Sequence, residues 1–272
     1  MSVQHELAIV GTGVSPTAHM TEETRAVLTG AQQIATIIQE PAERWLPAAA
    51  RHVPIHDLYH FYRGDRERCC NYEEACARVV DLALTATSTV LVCPGAPNMY
   101  DRLVTLVAEA AVLAGLRVRI YPAVSSLEGC LAHLGEDMAP GLQVHEVRWF
   151  MRRGLALNVE IASFFVQPGA ALTDRMPTLA DASPANLGPW RERLLEQLPP
   201  EHPIVFVRAP YGCDDEGYLR VARLEKACAG PREDLIGTSL YVPALNFERF
   251  GLRLWHRHLT GEHLTGEISP QA

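Results

Sequence analysis

Residues 90–100, VLVCPGAPNMY, and residues 117–126, RVRIYPAVSS, decide the fold of this chain. The first stretch opens with a short apolar run, typical of a buried strand, which breaks at Pro94 and Gly95. A helix is predicted over about residues 101–114, and the second stretch begins with another strand. The pattern is one βαβ unit with small residues at both strand ends. Because ligands bind outside the carboxyl ends of strands in open α/β sheets, the two turns predict a small-ligand pocket.

The chain before this unit also alternates between strands and helices. Apolar, β-branched runs predict strands at residues 6–10 and 34–38. Helices are predicted at residues 21–31, where Thr21 is the N-cap, and at residues 41–50 and 71–86. Such alternation is typical of a parallel sheet.

Beyond about residue 125 the strands are expected to be more mixed. Short apolar runs predict strands at residues 161–166, 204–207 and 239–243, and helices are predicted at residues 190–198 and 218–228. We therefore expect an N-terminal α/β domain over residues 1–122, a C-terminal α/β domain over residues 123–245, and a polar tail over residues 246–272. The tail is expected to be surface-bound or partly disordered.

Composition narrows the function classes. The 272 residues are 48% apolar and carry a net charge of −8, which argues against a general nucleic-acid binder. No apolar run reaches the ~18 residues needed to span a membrane, and the N-terminus lacks the basic region of a secretory signal. Seven cysteines without a CxxC pair predict reduced thiols in a cytoplasmic protein. Cys69 and Cys70 are interpreted as partly buried packing rather than as a metal site.

Residues 57–72, DLYHFYRGDRERCCNY, form what we call the Tyr/Arg segment. It collects three tyrosines, one phenylalanine and three arginines, and loops seldom do so unless something binds there. Surface stacking of arginine on tyrosine is an equally good interpretation. The chemical alternative is that a guanidinium lowers the pKa of a neighbouring phenol, which then acts as a general base.

Other motifs carry less information. Gly11-Thr12-Gly13 lacks the third glycine of the dinucleotide fingerprint, so a plain tight turn is favoured. His256, His258 and His263 fit a solvated tail better than a metal site. The chain has no GxSxG, HExxH or P-loop motif, which leaves hydrolase and NTPase functions without support.

The order of the motifs resembles the tetrapyrrole-methylase superfamily, the class III S-adenosyl-L-methionine-dependent methyltransferases. The matching pieces span roughly residues 6–243 and are LAIVGTGVSP with MTEETRAVL, CPGAPNMY, YPAVSSLEGCLAHLG, VEIASFFVQPG, PIVFVRAP and IGTSLYVP. Within that superfamily, DLYHFYRGDRERCCNYEEA resembles the borosin peptide backbone α-N-methyltransferases. Those enzymes carry a Leu-Tyr-x-x-Tyr, then Arg, then Tyr run before a long helix.

The resemblance implies two α/β domains with the cofactor in the cleft between them. It implies S-adenosyl-L-methionine as cofactor, S-adenosyl-L-homocysteine as product, no metal, and a homodimer with the Tyr/Arg segment near the partner subunit. Carried over by position, the cofactor-binding residues are Pro94, Gly95, Ala96, Met99, Tyr100, Ser125, Ser126, Gln167, Ala209, Thr238, Ser239 and Leu240. The residues matching those that surround the substrate amide, our candidate catalytic residues, are Tyr59, Tyr62, Arg68 and Tyr72.

Two departures from the family pattern concern the pocket. The family usually has Tyr-Gly-His-Pro-Gly where residues 94–98 read PGAPN, and PGV where residues 122–124 read PAV. The tyrosine and the histidine of the first motif are therefore absent, which is expected to reshape the pocket and alter or weaken catalysis.

A third departure concerns the substrate. Fungal borosin enzymes carry their core peptide at their own C-terminus, whereas the tail of this chain lacks a run of small and branched apolar residues. A ribosomally made precursor peptide is therefore expected to be supplied in trans. Two alternatives stay open: a C-methyltransferase acting on a tetrapyrrole or small molecule, and a catalytically silent homologue that binds a peptide.

The expected mechanism addresses the weak nucleophilicity of an amide nitrogen, whose lone pair is delocalised into the carbonyl. Arg68 is expected to lower the pKa of a neighbouring tyrosine, so that Tyr62 or Tyr72 takes the amide proton. The other phenol would donate a hydrogen bond to the developing imidate oxygen, as in an oxyanion hole.

Overall fold

A computed structural model describes residues 5–175, 183–211, 214–235, 237–247 and 255. These residues form two compact units. Unit 1 comprises the described parts of Met1–Gly129, Thr173–Thr178 and Ala209–Glu216, and unit 2 comprises the rest. Each unit is built on a five-stranded sheet with helices, which confirms the predicted class of two α/β domains. The predicted domain limits, 1–122, 123–245 and 246–272, stay predictions.

The sheet of unit 1 is parallel throughout, as the alternation of strands and helices predicted. Its strands, in spatial order, are β3 (Ile55–Asp57), β2 (Gln33–Thr36), β4 (Ser88–Cys93), β1 (Glu6–Gly11) and β5 (Arg117–Ile120). Its helices are α1 (Glu22–Thr29), α2 (Arg68–Thr85) and α3 (Arg102–Leu113), and α4 (Ser126–Leu134) follows β5.

Strand β1 shows why this sheet is covered on both faces. Leu7 and Ile9 pack in one apolar cluster with residues of α2 and α3, whereas Ala8 and Val10 pack in another with Leu28 of α1. Alternate side chains of a strand point to opposite faces, so an uninterrupted apolar run predicts burial on both sides. Each such aliphatic side chain contributes about 1.5–3 kcal/mol when fully buried.

The helix predicted at residues 41–50 is wrong. The structure has two single 3₁₀ turns there, Ala42–Arg44 and Ala48–Ala50. Pro47 lies between them, and proline inside a helix removes a backbone donor and clashes with the preceding turn.

The sheet of unit 2 is mixed, as expected. Its strands, in spatial order, are β6 (Leu142–Glu146), β7 (Ala162–Val166), β10 (Ser239–Val242), β8 (Pro203–Arg208) and β9 (Tyr218–Arg223). Strands β6 and β7 are parallel, and the other neighbours are antiparallel. The helices are α5 (Val147–Arg152) and α6 (Gly188–Leu195).

The helix predicted at residues 218–228 is also wrong. Residues Tyr218–Arg223 form β9, which pairs with β8, and a 3₁₀ segment follows over Leu224–Ala229. Tyr218, Arg220 and Ala222 share one face of the strand: Tyr218 and Ala222 pack against the apolar core of unit 2, and Cζ of Arg220 lies 4.7 Å from the ring centroid of Phe206. Pairing with β8 along all six residues outweighs the moderate helix propensity of the segment.

One expectation about surface and interior is corrected. Cys69 and Cys70 are both exposed rather than partly buried, because they lie on the solvent face of α2 while Arg68 and Asn71 occupy its buried face. In the predicted polar tail, Trp255 is fully buried and its indole N–H donates to Glu136. The three tail histidines lie outside the described residues.

No helix in the described part of the chain combines the length and the apolar character that crossing a membrane requires.

Candidate active site

The loops that follow β1 and β4 are joined at the carboxyl end of the unit 1 sheet. The backbone N–H of Gly13 donates to the carbonyl of Gly95 at 3.0 Å, and the N–H of Gly95 donates back at 3.2 Å. Strand β1 leads to β2 beyond β4, and β4 leads to β5 beyond β1. The two connections therefore run in opposite directions, which is the switch point where open α/β sheets bind ligands.

Gly11 allows these loops to approach closely. A Cβ at this position would fall on the Gly95 carbonyl oxygen, 2.7 Å from Cδ of Pro97 and 2.9 Å from Cβ of Ala123. Residues from the loops after β1, β4 and β5 thus meet around one glycine, which supports the structural interpretation of Gly11-Thr12-Gly13.

The β4 loop contains a strained residue that was predicted to contact the cofactor. Tyr100 has a φ of +56°, and Gln167, which follows β7 in unit 2, has a φ of +58°. Within the described chain they are the two non-glycine residues with positive φ, and both belong to the cofactor set inferred from the resemblance. Strain of about 1–3 kcal/mol persists where surrounding structure enforces it, and it concentrates at functional sites.

The predicted cofactor residues are divided between the two units. Unit 1 holds Pro94, Gly95, Ala96, Met99, Tyr100, Ser125, Ser126 and Ala209, and unit 2 holds Gln167, Thr238, Ser239 and Leu240. In unit 1 the members group in two places. Five lie on the β4 loop, and Ala209 lies against the start of α4, where a Cβ on Gly129 would be 2.8 Å from its methyl group.

Hydroxyl groups of this set are held by local hydrogen bonds. The Ser125 hydroxyl donates to the carboxylate of Glu128 and accepts from the N–H of Leu127 at 3.2 Å. In unit 2 the Thr238 hydroxyl donates to the backbone carbonyl of Asp234.

The three candidate tyrosines form one cluster in unit 1. Tyr59 and Tyr62 are stacked, with ring centroids 5.7 Å apart and planes 6° from parallel. Tyr62 and Tyr72 meet edge to face at 5.8 Å. Tyr62 and Tyr72 also pack against the core cluster that contains Cys93, the last residue of β4. The fold thus brings the Tyr/Arg segment to the end of the strand that precedes the predicted cofactor loop.

The three arginines of the Tyr/Arg segment make different contacts. Arg63 and Arg66 form ion pairs with Asp65 and Glu74. Arg68 is buried at the start of α2, where its guanidinium donates to the carbonyl of Thr173 at 2.7 Å and its backbone N–H donates to that of Asp174 at 2.8 Å. The guanidinium of Arg68 is thus stabilised by a backbone carbonyl, and the two hydrogen bonds connect the start of α2 to residues 173–174.

The lowered pKa expected for Tyr62 or Tyr72 is wrong for Tyr62. Burial raises the pKa of its phenol well above the usual range, and the negative charge of Asp101, with smaller effects of Tyr72, Cys93 and Tyr59, raises it further. Tyr62 is therefore protonated at neutral pH. The described residues supply no hydrogen-bond acceptor to its hydroxyl, so that hydroxyl is available to donate to a ligand.

Asp101 is the residue that the sequence reasoning did not single out. It is the N-cap of α3: Oδ1 accepts from the N–H of Leu103 at 3.0 Å and of Val104 at 3.4 Å. Burial raises the pKa of its carboxyl, while these N–H groups and the Cys93 thiol, which also bonds to it, act in the opposite direction. The available signal was an aspartate directly before an apolar helical run, at the end of a ligand loop.

The chain matches a known protein family over most of its length. A model of the tetrapyrrole (corrin/porphyrin) methylases matches residues 6–227. The chain belongs to this family. As a tetrapyrrole methylase it resembles in fold the uroporphyrin-III C-methyltransferase of Thermus thermophilus, with a TM-score of 0.60 at 18% identity over 91% of this chain and 95% of that one.

Curated relatives of this tetrapyrrole methylase include fungal borosin precursors fused to methyltransferases. A type I precursor from Serendipita vermifera subsp. bescii is 25% identical over 246 residues, which are 89% of this chain and 59% of that protein. The omphalotin A precursor from Omphalotus olearius is 24% identical, over 73% of this chain and 48% of that protein. The chain thus spans about half the length of the curated relatives that it matches.

S-adenosyl-L-methionine is the cofactor of this tetrapyrrole methylase. A related structure of the Thermus thermophilus enzyme, with a TM-score of 0.56 at 16% identity over 88% of this chain and 92% of that one, is a complex with S-adenosylhomocysteine. The unit 1 loops fit such a group, because the space beside the Cα of Gly95 is open and the backbone there is strained at Tyr100. The position of the cofactor between the domains stays a prediction.

Gly95→Ala tests this loop. Gly95 has a φ of +68°, and no atom lies within 4 Å of the point that a Cβ would occupy, so the methyl group would enter the space predicted for the cofactor. We expect a loss of about 1–2 kcal/mol in stability from the backbone conformation and about a tenfold weaker affinity for S-adenosyl-L-homocysteine, measured by calorimetry.

Gly115→Ala is the matched control. Gly115 also has a positive φ, +81°, and open space, but it lies before β5, at the opposite end of the strand from the cofactor loops. The Gly115→Ala variant should lose a similar amount of stability and bind S-adenosyl-L-homocysteine with the affinity of the wild type. Equal affinities in the two variants would remove Gly95 from the cofactor site.

Proposed function

We propose that the protein transfers methyl groups from S-adenosyl-L-methionine to backbone amide nitrogens of a ribosomally made precursor peptide supplied in trans. The observation that carries the proposal is the cluster of Tyr59, Tyr62 and Tyr72 beside the end of β4, with Arg68 buried at the start of the adjoining helix. The fungal borosin and omphalotin A precursors, which this chain resembles over 73–89% of its length, carry both a methyltransferase and a peptide precursor in their names.

An amide substrate requires two kinds of help from the protein. Its nitrogen becomes nucleophilic only as the N–H proton is lost, and negative charge then builds on the carbonyl oxygen. A protonated phenol with an unused hydroxyl suits that oxygen, so we assign Tyr62 the role of donor. Tyr72, whose ring meets that of Tyr62 edge to face, is assigned the role of the base that takes the proton from the amide nitrogen. Arg68 is assigned the role of the cation that favours the phenolate form of this base.

The cofactor supplies an electrophilic methyl group, and the protein supplies position. The rings of Tyr59 and Tyr62 are parallel, and their faces offer an apolar surface for an extended peptide chain. Holding the amide nitrogen in line with the methyl group contributes much of the rate in reactions of this kind.

The fungal relatives are precursors fused to methyltransferases, and a separate precursor peptide is the substrate proposed for this chain. A cytoplasmic homodimer in biosynthesis of ribosomally made, modified peptides is the proposed setting.

The test is direct methylation of a peptide. The full chain is incubated with labelled S-adenosyl-L-methionine and synthetic precursor candidates, and tandem mass spectrometry locates each methyl group. We expect backbone N-methylation of the added peptide and none within residues 1–272 of the enzyme. An Arg68→Ala, Tyr72→Phe double variant should lose the activity, and full activity in it would refute the assigned roles.

The family itself favours a second candidate, C-methylation of a tetrapyrrole or related small molecule. That function predicts a shift in visible absorbance when a porphyrinoid is titrated in, and no methylation of peptides. A catalytically silent peptide-binding homologue is the third outcome, and calorimetry identifies it by the absence of heat on addition of S-adenosyl-L-homocysteine.

A further inference from the structure

Asp234 connects a short turn to the sheet of unit 2. This residue is fully buried in the 3₁₀ segment Arg232–Leu235, which we call the Asp234 turn. Its Oδ1 accepts from the Tyr218 hydroxyl at 2.7 Å and from Nε of Arg220 at 2.7 Å, and its Oδ2 accepts from Nη2 of Arg220. Because both partners lie on β9, the carboxylate fixes the turn relative to that strand.

The ion pair of Asp234 and Arg220 is closely surrounded. On one side, Cζ of Arg220 lies 4.7 Å from the ring centroid of Phe206. On another side, a Cβ at Gly230 would fall on Nη2 of Arg220 and on Oδ2 of Asp234. Desolvation offsets much of the attraction within a buried ion pair, so apolar side chains could stabilise the unit equally well. What the pair adds is a set of directed hydrogen bonds that allows the turn one position.

Two segments that carry predicted cofactor residues contact the Asp234 turn. The Thr238 hydroxyl donates to the backbone carbonyl of Asp234. A Cβ at Gly169 would lie 2.8 Å from the carbonyl oxygen of Leu235, so the loop after β7 passes directly against the turn. That loop begins with Gln167, whose φ is +58°. The turn therefore touches both segments of unit 2 that were assigned to the cofactor.

The register of the sheet brings these two segments to one end of unit 2. Strands β7 and β10 are antiparallel, with Leu240 opposite Phe165. Gln167 follows β7 and Thr238 precedes β10, so both lie beyond this pair at the same end of the sheet. A single support at that end can thus position both of them.

We propose that Asp234 is a positioning residue for S-adenosyl-L-methionine: through the Asp234 turn, its carboxylate sets the positions of the loop after β7 and of the start of β10. The inference rests on the cofactor residues assigned to the proposed methyltransferase, and it holds for any methyl acceptor. Asp234 acts through the Leu235 carbonyl and the Thr238 hydroxyl rather than by touching the cofactor. Segments that are ordered before binding lose little freedom when the ligand arrives, which increases affinity.

The test is the affinity for S-adenosyl-L-homocysteine, measured by calorimetry on the full chain without any peptide. Asp234→Asn removes the charge that pairs with Arg220, whereas Gly169→Ala keeps the ion pair and places a methyl group against the Leu235 carbonyl. We expect each variant to bind about tenfold more weakly than the wild type. The double variant should bind about as weakly as either single variant, because both changes displace the same two segments.

Gly141→Ala is the matched control in unit 2. A Cβ at Gly141 would lie 2.8 Å from Cγ2 of Ile161, and its φ is +108°, so this variant also loses stability. Gly141 precedes β6, which is parallel to β7, and therefore lies at the opposite end of the sheet from Gln167. We expect the variant to bind with the affinity of the wild type, because a less stable chain that is still folded keeps its site.

Circular dichroism at the assay temperature identifies the variants that are folded. Wild-type affinity in folded Gly169→Ala overturns the proposal, even where Asp234→Asn does not fold. An equal loss of affinity in Gly141→Ala also overturns it, since affinity then follows stability alone. So does a hundredfold loss in the double variant, because the two changes then act independently. Failure to methylate any peptide would reject the proposed substrate and leave this test intact, because binding of S-adenosyl-L-homocysteine needs no methyl acceptor.

Discussion

Replacing Tyr62 with phenylalanine should reduce peptide methylation about a hundredfold or more without weakening the fold. Its hydroxyl is protonated at neutral pH and makes no hydrogen bond to the described residues. Removing one donor from an oxyanion site typically costs about 10²–10³ in turnover, about 2.7–4 kcal/mol of transition-state stabilisation. Single-turnover kinetics with a saturating precursor peptide measures the effect.

The fold should be unaffected because phenylalanine keeps both ring contacts of Tyr62. Tyr211→Phe is a suitable control in unit 1: its hydroxyl donates to Glu40, and its pKa is raised to about 12 by partial burial and by that carboxylate. That variant should turn over like the wild type. A Tyr62→Phe enzyme with normal single-turnover rates would show that the phenol does not stabilise the developing oxyanion.

Asp234→Asn should lower the free energy of unfolding of unit 2 by about 3 kcal/mol. Asp234 is fully buried and accepts from the Tyr218 hydroxyl at 2.7 Å and from the guanidinium of Arg220, whose Nε lies 2.7 Å away. Neutralising this carboxylate leaves a largely enclosed guanidinium without its counter-charge. Urea unfolding followed by tryptophan fluorescence in a Trp45→Phe background reports on unit 2, since Trp190 and Trp255 are buried there and Trp45 is buried in unit 1.

An exposed ion pair supplies the comparison. Asp65 pairs with Arg63 at 2.6 Å, and both side chains are more than half exposed. Solvent screens such pairs, so Asp65→Asn should unfold like the wild type. If Asp234→Asn also unfolds at the wild-type urea concentration, the buried pair between β9 and the residues before β10 does not stabilise unit 2.

The sequence was sufficient for the parts of the fold that repeat one simple pattern. Strands β1 and β4 are continuous apolar runs bounded by glycine and proline, and Ala75, Val79 and Leu82 mark the buried stripe of α2. These features depend on local period alone. Strand β9 was predicted as a helix, because its conformation depends on pairing with β8 and on the contact of Arg220 with the buried Asp234. These partners lie too far away in the sequence for a local pattern to show them.

The candidate site was predictable as residue types but not as charge states. Tyr59, Tyr62 and Tyr72 could be selected by resemblance, and the structure places their rings together. The direction of the Tyr62 pKa could not be read in the same way, because burial of the phenol and the negative charge of Asp101 raise it. Asp101 belongs to a different stretch of sequence, and its proximity to Tyr62 is a product of the fold.

The left-handed backbone at Tyr100 and Gln167 offers a way to judge diverged members of this family. Glycine would adopt those conformations without steric cost. Selection for stability alone would therefore favour glycine in place of both residues. Lineages that have stopped transferring methyl groups should therefore drift towards glycine or asparagine at these two positions. Lineages that still bind the methyl donor should retain larger side chains there despite the strain.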